Sequence, residues 1–179
     1  MILAGGLPDV IASDPRLLAG LLVAVALVVV YQRTLSWPEY RRLHALKLRV
    51  LPWVDRLTSL FVVSNKGYRD DAEYVATVPR DSHETFRVLV DGGGSPHLVN
   101  SVKRRTRPDG TIDWSRVHVV WIHDDGSQTE AYAFANGDGS SDVYADHETS
   151  VLDPEGHLSD GQRDGDPRGV VRAALDGDE

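Results

Sequence analysis

Histidines and carboxylates are the residues whose types and spacing first invite chemistry in this chain. His118, His123 and His147 fall among strand-length segments, and Asp146-His147-Glu148 sets one imidazole between two acids. Neutral imidazole and carboxylate are the usual nitrogen and oxygen ligands of a transition metal. His118 and His123 are five residues apart, so on one strand they face opposite sides and cannot chelate together. His123 and His147 could meet across strands. Asn136-x-Asp138-Gly139-x-x-Asp142 places oxygen ligands at alternate positions around a glycine turn, as Ca²⁺ favours. The same letters also spell a hairpin turn, and no bidentate glutamate follows at EF-hand spacing. His123, His147, Asp138 and Asp142 are therefore the metal candidates, each with a structural role as the competing reading.

Lys103-Arg104-Arg105-x-Arg107 is the one basic cluster in an acidic half-chain. It reads as an exposed strand whose charges block edge pairing, or as a contact for an acidic partner. A nucleic-acid groove needs a broad positive field. Residues 67–179 carry net −12, so nucleic acid is not an expected partner. There is no G-x-S-x-G, no phosphate loop and no H-E-x-x-H. Gly92-Gly93-Gly94-Ser95 is followed by Pro-His, not by a Lys-Ser/Thr pair. The chain has no cysteine, which excludes a disulfide framework, a thiolate zinc site and a cysteine nucleophile. Neither catalytic residues nor a cofactor are expected, and the chain reads as a non-enzyme.

The elements that must position these groups begin with an apolar run. Leu17–Tyr31 is free of charges and amides, roughly 22 Å of helix, and Arg16 and Arg33 can snorkel to stretch it to about 27 Å. A core helix would show a polar stripe, and a signal peptide would show a basic start and a small-residue cleavage site. Neither is present. The expectation is a transmembrane helix over 16–33 behind a short external tail, 1–15. Arg33, Arg41, Arg42, Lys47 and Arg49 follow it, whereas Arg16 alone precedes it. The positive-inside rule then puts the C-terminal side in the cytoplasm.

Ser36-Trp37-Pro38-Glu39 has the form of a capping box. The spacing of Tyr40, Leu43, Leu46, Val50, Val54, Leu57 and Phe61 predicts a basic amphipathic helix over 36–63, kinked or split near Pro52. Arg16 and Arg33 at the ends of the transmembrane helix, and Trp37, Tyr40, Arg41, Arg42 and Trp53 on this one, are the expected membrane-interface residues. Docking of the same stripe on the globular domain or a second subunit is the competing reading.

Residues 67–150 predict an α+β domain. Ala72–Val78 is strand-like, and Asp81 with Glu84 caps a helix that ends at Gly92-Gly93-Gly94. Segments 97–106, 115–123, 128–135 and 142–149 then form a four-stranded antiparallel meander, punctuated by Asp-Gly and Asn-Gly. Residues 151–179 are rich in Asp, Gly and Pro and predict a mostly disordered acidic tail, with weak helical turns at 169–175. On the same side of the membrane, that tail would compete with anionic lipid for basic stretches 41–49 and 103–107. A fragment starting at Gly67 is expected to fold without it.

Ser95-Pro96-His97-Leu98, Gln128-Thr129-Glu130-Ala131-Tyr132, Asp142-Val143-Tyr144-Ala145 and Asp153-Pro154-Glu155-Gly156-His157-Leu158 resemble small membrane proteins of bacteriophages of GC-rich actinobacteria. The resemblance implies a phage or prophage accessory protein and carries over no functional residue. The expected function is a single-pass anchor in the host cytoplasmic membrane. It presents a cytoplasmic α+β domain to a protein partner or to another copy of itself. A holin-like lysis protein and a membrane-linked metal binder or enzyme using His118, His123 or His147 are the alternatives.

Overall fold

The three Asp-Gly and Asn-Gly signals each close a hairpin. Gly110, Gly126 and Gly139 take φ of 82°, 79° and 85°, a left-handed backbone that glycine adopts without a Cβ clash. The acid immediately before each glycine finishes the turn. Asp109, Asp125 and Asp138 accept both the backbone N–H and the hydroxyl of Thr111, Ser127 and Ser140. The computed structural model that shows this describes residues 23, 27, 30, 31, 33–58, 63–69, 72–98, 100–150 and 165–177.

In chain order the elements are α1 (Trp37–Thr58), β1 (Val63–Lys66), β2 (Tyr74–Val78), α2 (Ser82–Asp91), β3 (Ser95–Pro96), β4 (Val102–Thr106), β5 (Ile112–Trp114), β6 (Val117–Ile122), β7 (Ser127–Ala135), β8 (Ser141–Thr149) and α3 (Pro167–Asp176). A five-stranded sheet runs β2-β8-β7-β6-β3, and a three-stranded sheet runs β1-β4-β5. Every pairing is antiparallel except the parallel β1–β4. The class is α+β, as expected.

The predicted four-stranded meander needs correction. β6, β7 and β8 form it, but segment 97–106 does not join them. Its strand, β4, turns at Pro108-Asp109-Gly110 into the short β5 and belongs to the second sheet. The neighbours of the meander are instead β2 on β8 and β3 on β6. The helix expected from Asp81 is α2. Asp81 accepts the N–H groups of His83 and Glu84 at 2.8 and 2.9 Å, and Gly93, at φ 90°, ends it. The capping box at Ser36 is also present, with both Ser36 N–H and Oγ on Glu39 Oε2 at 3.0 and 2.6 Å. α1 runs through Pro52 as one helix and stops before β1 rather than reaching 63.

The main sheet has two unlike faces. Val117, Val119, Ala131, Ala133, Val143 and Ala145 line one, facing Phe86 and Leu89 of α2 and Val171, Ala174 and Leu175 of α3. Small residues on β7 let both helices lie close. The acidic tail expected to be disordered thus returns over 167–176 as a core helix. Asp166 caps it through Gly169 N–H at 2.9 Å, Pro167 starts it, and Val171 is fully buried. Composition hid it because only Val171, Ala174 and Leu175 reach the core. Residues 151–164, 178 and 179 lie outside the described residues. Leu35 and Tyr40 join the same core, so the domain expected over 67–150 closes only with α1 and α3.

The other face carries His118, Glu130, Tyr132, Phe134, Asp142, Tyr144 and Asp146, in register across β6, β7 and β8. The side chains of β4 reach onto it, and they are cations. Most of segment 16–33 lies outside the described residues. Val23, Leu27, Val30 and Tyr31 within it are helical and exposed. Among the described residues no helix is long and apolar enough to cross a membrane.

Candidate functional site

Lys103 and Arg105 point to the same side of β4, and both are buried. Lys103 Nζ lies 3.0 Å from Glu130 Oε2 and 3.5 Å from Asp146 Oδ2. Lys66 on β1 joins them, 2.6 Å from Glu73 and 3.5 Å from Asp146. Arg105 donates to Asp142 at 2.6 Å and to Asp113 at 3.1 Å, with Arg69 and Arg107 on the same two acids. Its guanidinium lies 4.4 Å from the Phe134 ring centroid. The basic cluster read as an exposed edge or a partner contact is therefore mostly internal. Burial would expel these charges if they were unpaired, and every second residue of β4 lands on a carboxylate. With Lys103 and Arg105 enclosed, stretch 103–107 offers little for lipid to bind.

The electrostatics follow from that packing. Burial pushes Glu130 up, but Lys103 and His97, the latter 2.9 Å away, hold it well below the usual carboxylate range. Burial alone would lower Lys103; Glu130 and Asp146 raise it instead. Asp146 is pushed up to about 6 by burial despite Lys103. Glu148, half-buried beside Glu130 and Asp146, goes to about 8, chiefly by desolvation. Asp142 is drawn down to about 2, its hydrogen bonds from Arg69, Thr77, Arg105 and Asn136 outweighing burial.

α1 is stitched to this layer at three positions about a turn apart. The Tyr40 hydroxyl accepts the His118 N–H at 2.7 Å. His44 Nε2 donates to Ser115 O at 2.9 Å, and Lys47 donates to Asn100 Oδ1. Tyr40, expected at a membrane interface, is fully buried, because the sheet takes its hydroxyl and Phe86 its ring. Trp37 is partly buried between His83 and Tyr40. Arg33, Arg41 and Arg42 stay exposed, as does Trp53 at 63%. Arg16 lies outside the described residues.

Ser115, His118 and Asn100 form a chain that resembles a nucleophile, its base and an orienting group. Ser115 Oγ lies 2.5 Å from His118 Nε2, and the Asn100 amide meets His118 Nδ1. The direction of the bonds decides its role. Lys47 occupies Asn100 Oδ1, so the amide NH₂ donates to Nδ1. Nε2 then carries the ring proton and donates to Ser115, whose own proton goes to Lys103 O at 3.3 Å. A base needs a lone pair facing the hydroxyl. Ser115 and His118 are also sealed from solvent, so the chain acts as a strut. Sequence reading missed it because Asn100 and Ser115 carry no spacing signal.

Among the metal candidates the structure brings one pair together. His123 and His147 lie with ring centroids 5.6 Å apart, bridged by Thr129 Oγ1 at 2.8 and 3.1 Å. Asp138 and Asp142 are at the opposite end of β8. Asp138 serves its turn, and Asp142 is consumed by arginines, so the calcium reading fails on chemistry. Among the described residues no three His, Asp or Glu are grouped to hold a metal.

A cleft of about 410 Å³ also lies between α1, the start of α2, Arg116 and the β7–β8 turn. Comparison with known proteins adds no identity: no family model, curated protein or solved structure matches the chain.

Proposed function

We propose that this chain is a single-pass membrane-anchored accessory protein, of phage or prophage origin, that holds an α+β interaction domain against the cytoplasmic face of the host membrane. The observation that carries the reading is the two-sided α1. Tyr40, His44 and Lys47 fix its inner side to the domain. Arg42, Leu46, Arg49, Val50, Trp53 and Arg56 lie on its outer side, all exposed, with Leu46 at 57% and Val50 at 43%. Aliphatic and tryptophan side chains interleaved with arginines suit the headgroup layer of an anionic bilayer. The apolar run Leu17–Tyr31 leads directly into this helix, and the basic residues after it favour a cytoplasmic domain. The many enclosed ion pairs support a binding module rather than a reaction centre, since the buried groups are committed to one another.

Carbonate extraction and protease protection of the full chain expressed in a bacterial host test the proposal. The chain should stay with the membrane, and its C-terminal domain should be cut only after the cytoplasmic face is opened. Release by carbonate, or cleavage in intact spheroplasts, would overturn it.

A further inference from the structure

We propose that the cleft between α1 and α2 is a binding site for a small phosphate monoester that carries a neighbouring hydroxyl, the chemistry of a polyol or sugar phosphate. Arg41 and Arg116 line it. Both are exposed, and unlike Arg69, Arg105 and Arg107 neither is ion-paired among the described residues. Two free guanidiniums in a chain of net charge −8 match a phosphate monoester, which carries about −1.5 to −2 at pH 7, better than a single carboxylate. The acid in the cleft, Asp81, is spent capping α2, where His83 and Glu84 N–H hold it.

A second, independent observation concerns His44, which lines the same cleft. It is 3% exposed. A carbonyl only accepts, so Nε2 carries the proton toward Ser115 O. That leaves Nδ1 as a buried lone pair, and it has no hydrogen-bond partner. Burial also holds the ring neutral, with its pKa near 4. A buried acceptor without a donor is costly, and a ligand hydroxyl beside the phosphate would satisfy it. Trp37 and His83, stacked at 5.3 Å, supply a flat wall for a carbon skeleton. The volume falls in the range of small-ligand sites, about 300–1,000 Å³. The site does not depend on membrane attachment, so its failure and that of the anchoring proposal are separable.

The test is titration of the full chain in neutral detergent with glycerol 1-phosphate and, separately, with sulfate. Sulfate is a dianion with no proton to donate. Glycerol 1-phosphate should bind saturably and at least about tenfold more tightly than sulfate, the usual effect of one added hydrogen bond to a buried group. Arg41→Gln and Arg116→Gln should each weaken it about tenfold, and Arg87→Gln, on the exposed side of α2, should not. The ¹⁵N resonance of His44 Nδ1 should move upfield with glycerol 1-phosphate and stay in place with sulfate. This readout needs no substitution at a buried position. Equal affinity for the two anions, indifference to both arginine variants, or no saturable binding would each overturn the proposal.

Discussion

Lys103 is the residue on which the polar layer turns. It enters the interior because Glu130 and Asp146 meet it there, and it is the cation the two acids share. Lys103→Met keeps the length of the side chain and removes that cation, leaving Glu130 with His97 and Asp146 with Lys66 at 3.5 Å. We expect a loss of about 3–5 kcal/mol, read as a fall in the denaturant midpoint. A loss under about 1 kcal/mol would show that water reaches this layer. Glu148 gives the opposite dependence. Its folded pKa near 8 stands above the ordinary 4.5, so the native state binds its proton more tightly than the unfolded chain does. The stabilisation is complete below about 4.5 and is lost as pH rises toward 8. His44, His97 and His118 are all shifted down, so their contribution rises with pH and levels off near 6.5. Between pH 6.5 and 8 Lys47 works against it, because burial lowers that amine to about 7 and its contribution rises with pH. The stability difference between the wild-type chain and Glu148→Gln isolates Glu148 and should shift by about 1 to 2 kcal/mol across that interval, against the wild type. Equilibrium unfolding at the two pH values distinguishes them.

At the scale of elements, α3 is the piece that composition concealed. It buries Val171, Ala174 and Leu175 against α2 and the sheet, and Gly92 makes room for it. A Cβ there would come within 2.6 Å of Ala174 Cβ. Leu175→Ala should cost about 2–4 kcal/mol and speed amide exchange across 167–176. Unchanged protection of that helix would mean that it is not held by this contact. The sequence announced the hairpins and the caps because those are local: an Asp-Gly pair, an acid three residues before a glutamate. It did not announce where β4 goes. Lys-Arg-Arg looks like surface until the carboxylates of β7 and β8, some thirty to forty residues away, are placed over it. α1 misled in a related way. Its apolar stripe suggested the docking side, but only the first part of it, Tyr40 and Leu43, packs on the oily core, and the contacts beyond are polar. Tyr40, His44 and Lys47 face inward, and Leu46 and Val50 are left outside. The cleft was invisible for the same reason, since its walls come from four separate stretches of chain.

The whole molecule is a sheet with an oily side under two helices and an ionic side under a small second sheet. Neither side is complete within residues 67–150. Tyr40 and His44 cap the ionic side near His118, and α3 closes the oily one. A fragment limited to 67–150 should therefore lack a cooperative thermal transition, whereas 33–177 should show one; a sharp transition in the shorter fragment would contradict this. A fragment from Gly67 looks self-sufficient in the sequence only if α1 is a membrane accessory and the tail is solvated. The stitching of α1 has a mechanical consequence. Tyr40, His44 and Lys47 anchor the helix over roughly 10 Å of its axis, like three bolts along a shaft. A shaft bolted in this way cannot swivel in its mount. Any torque or tilt applied to α1 turns the body with it, as the hands of a clock move with the spindle.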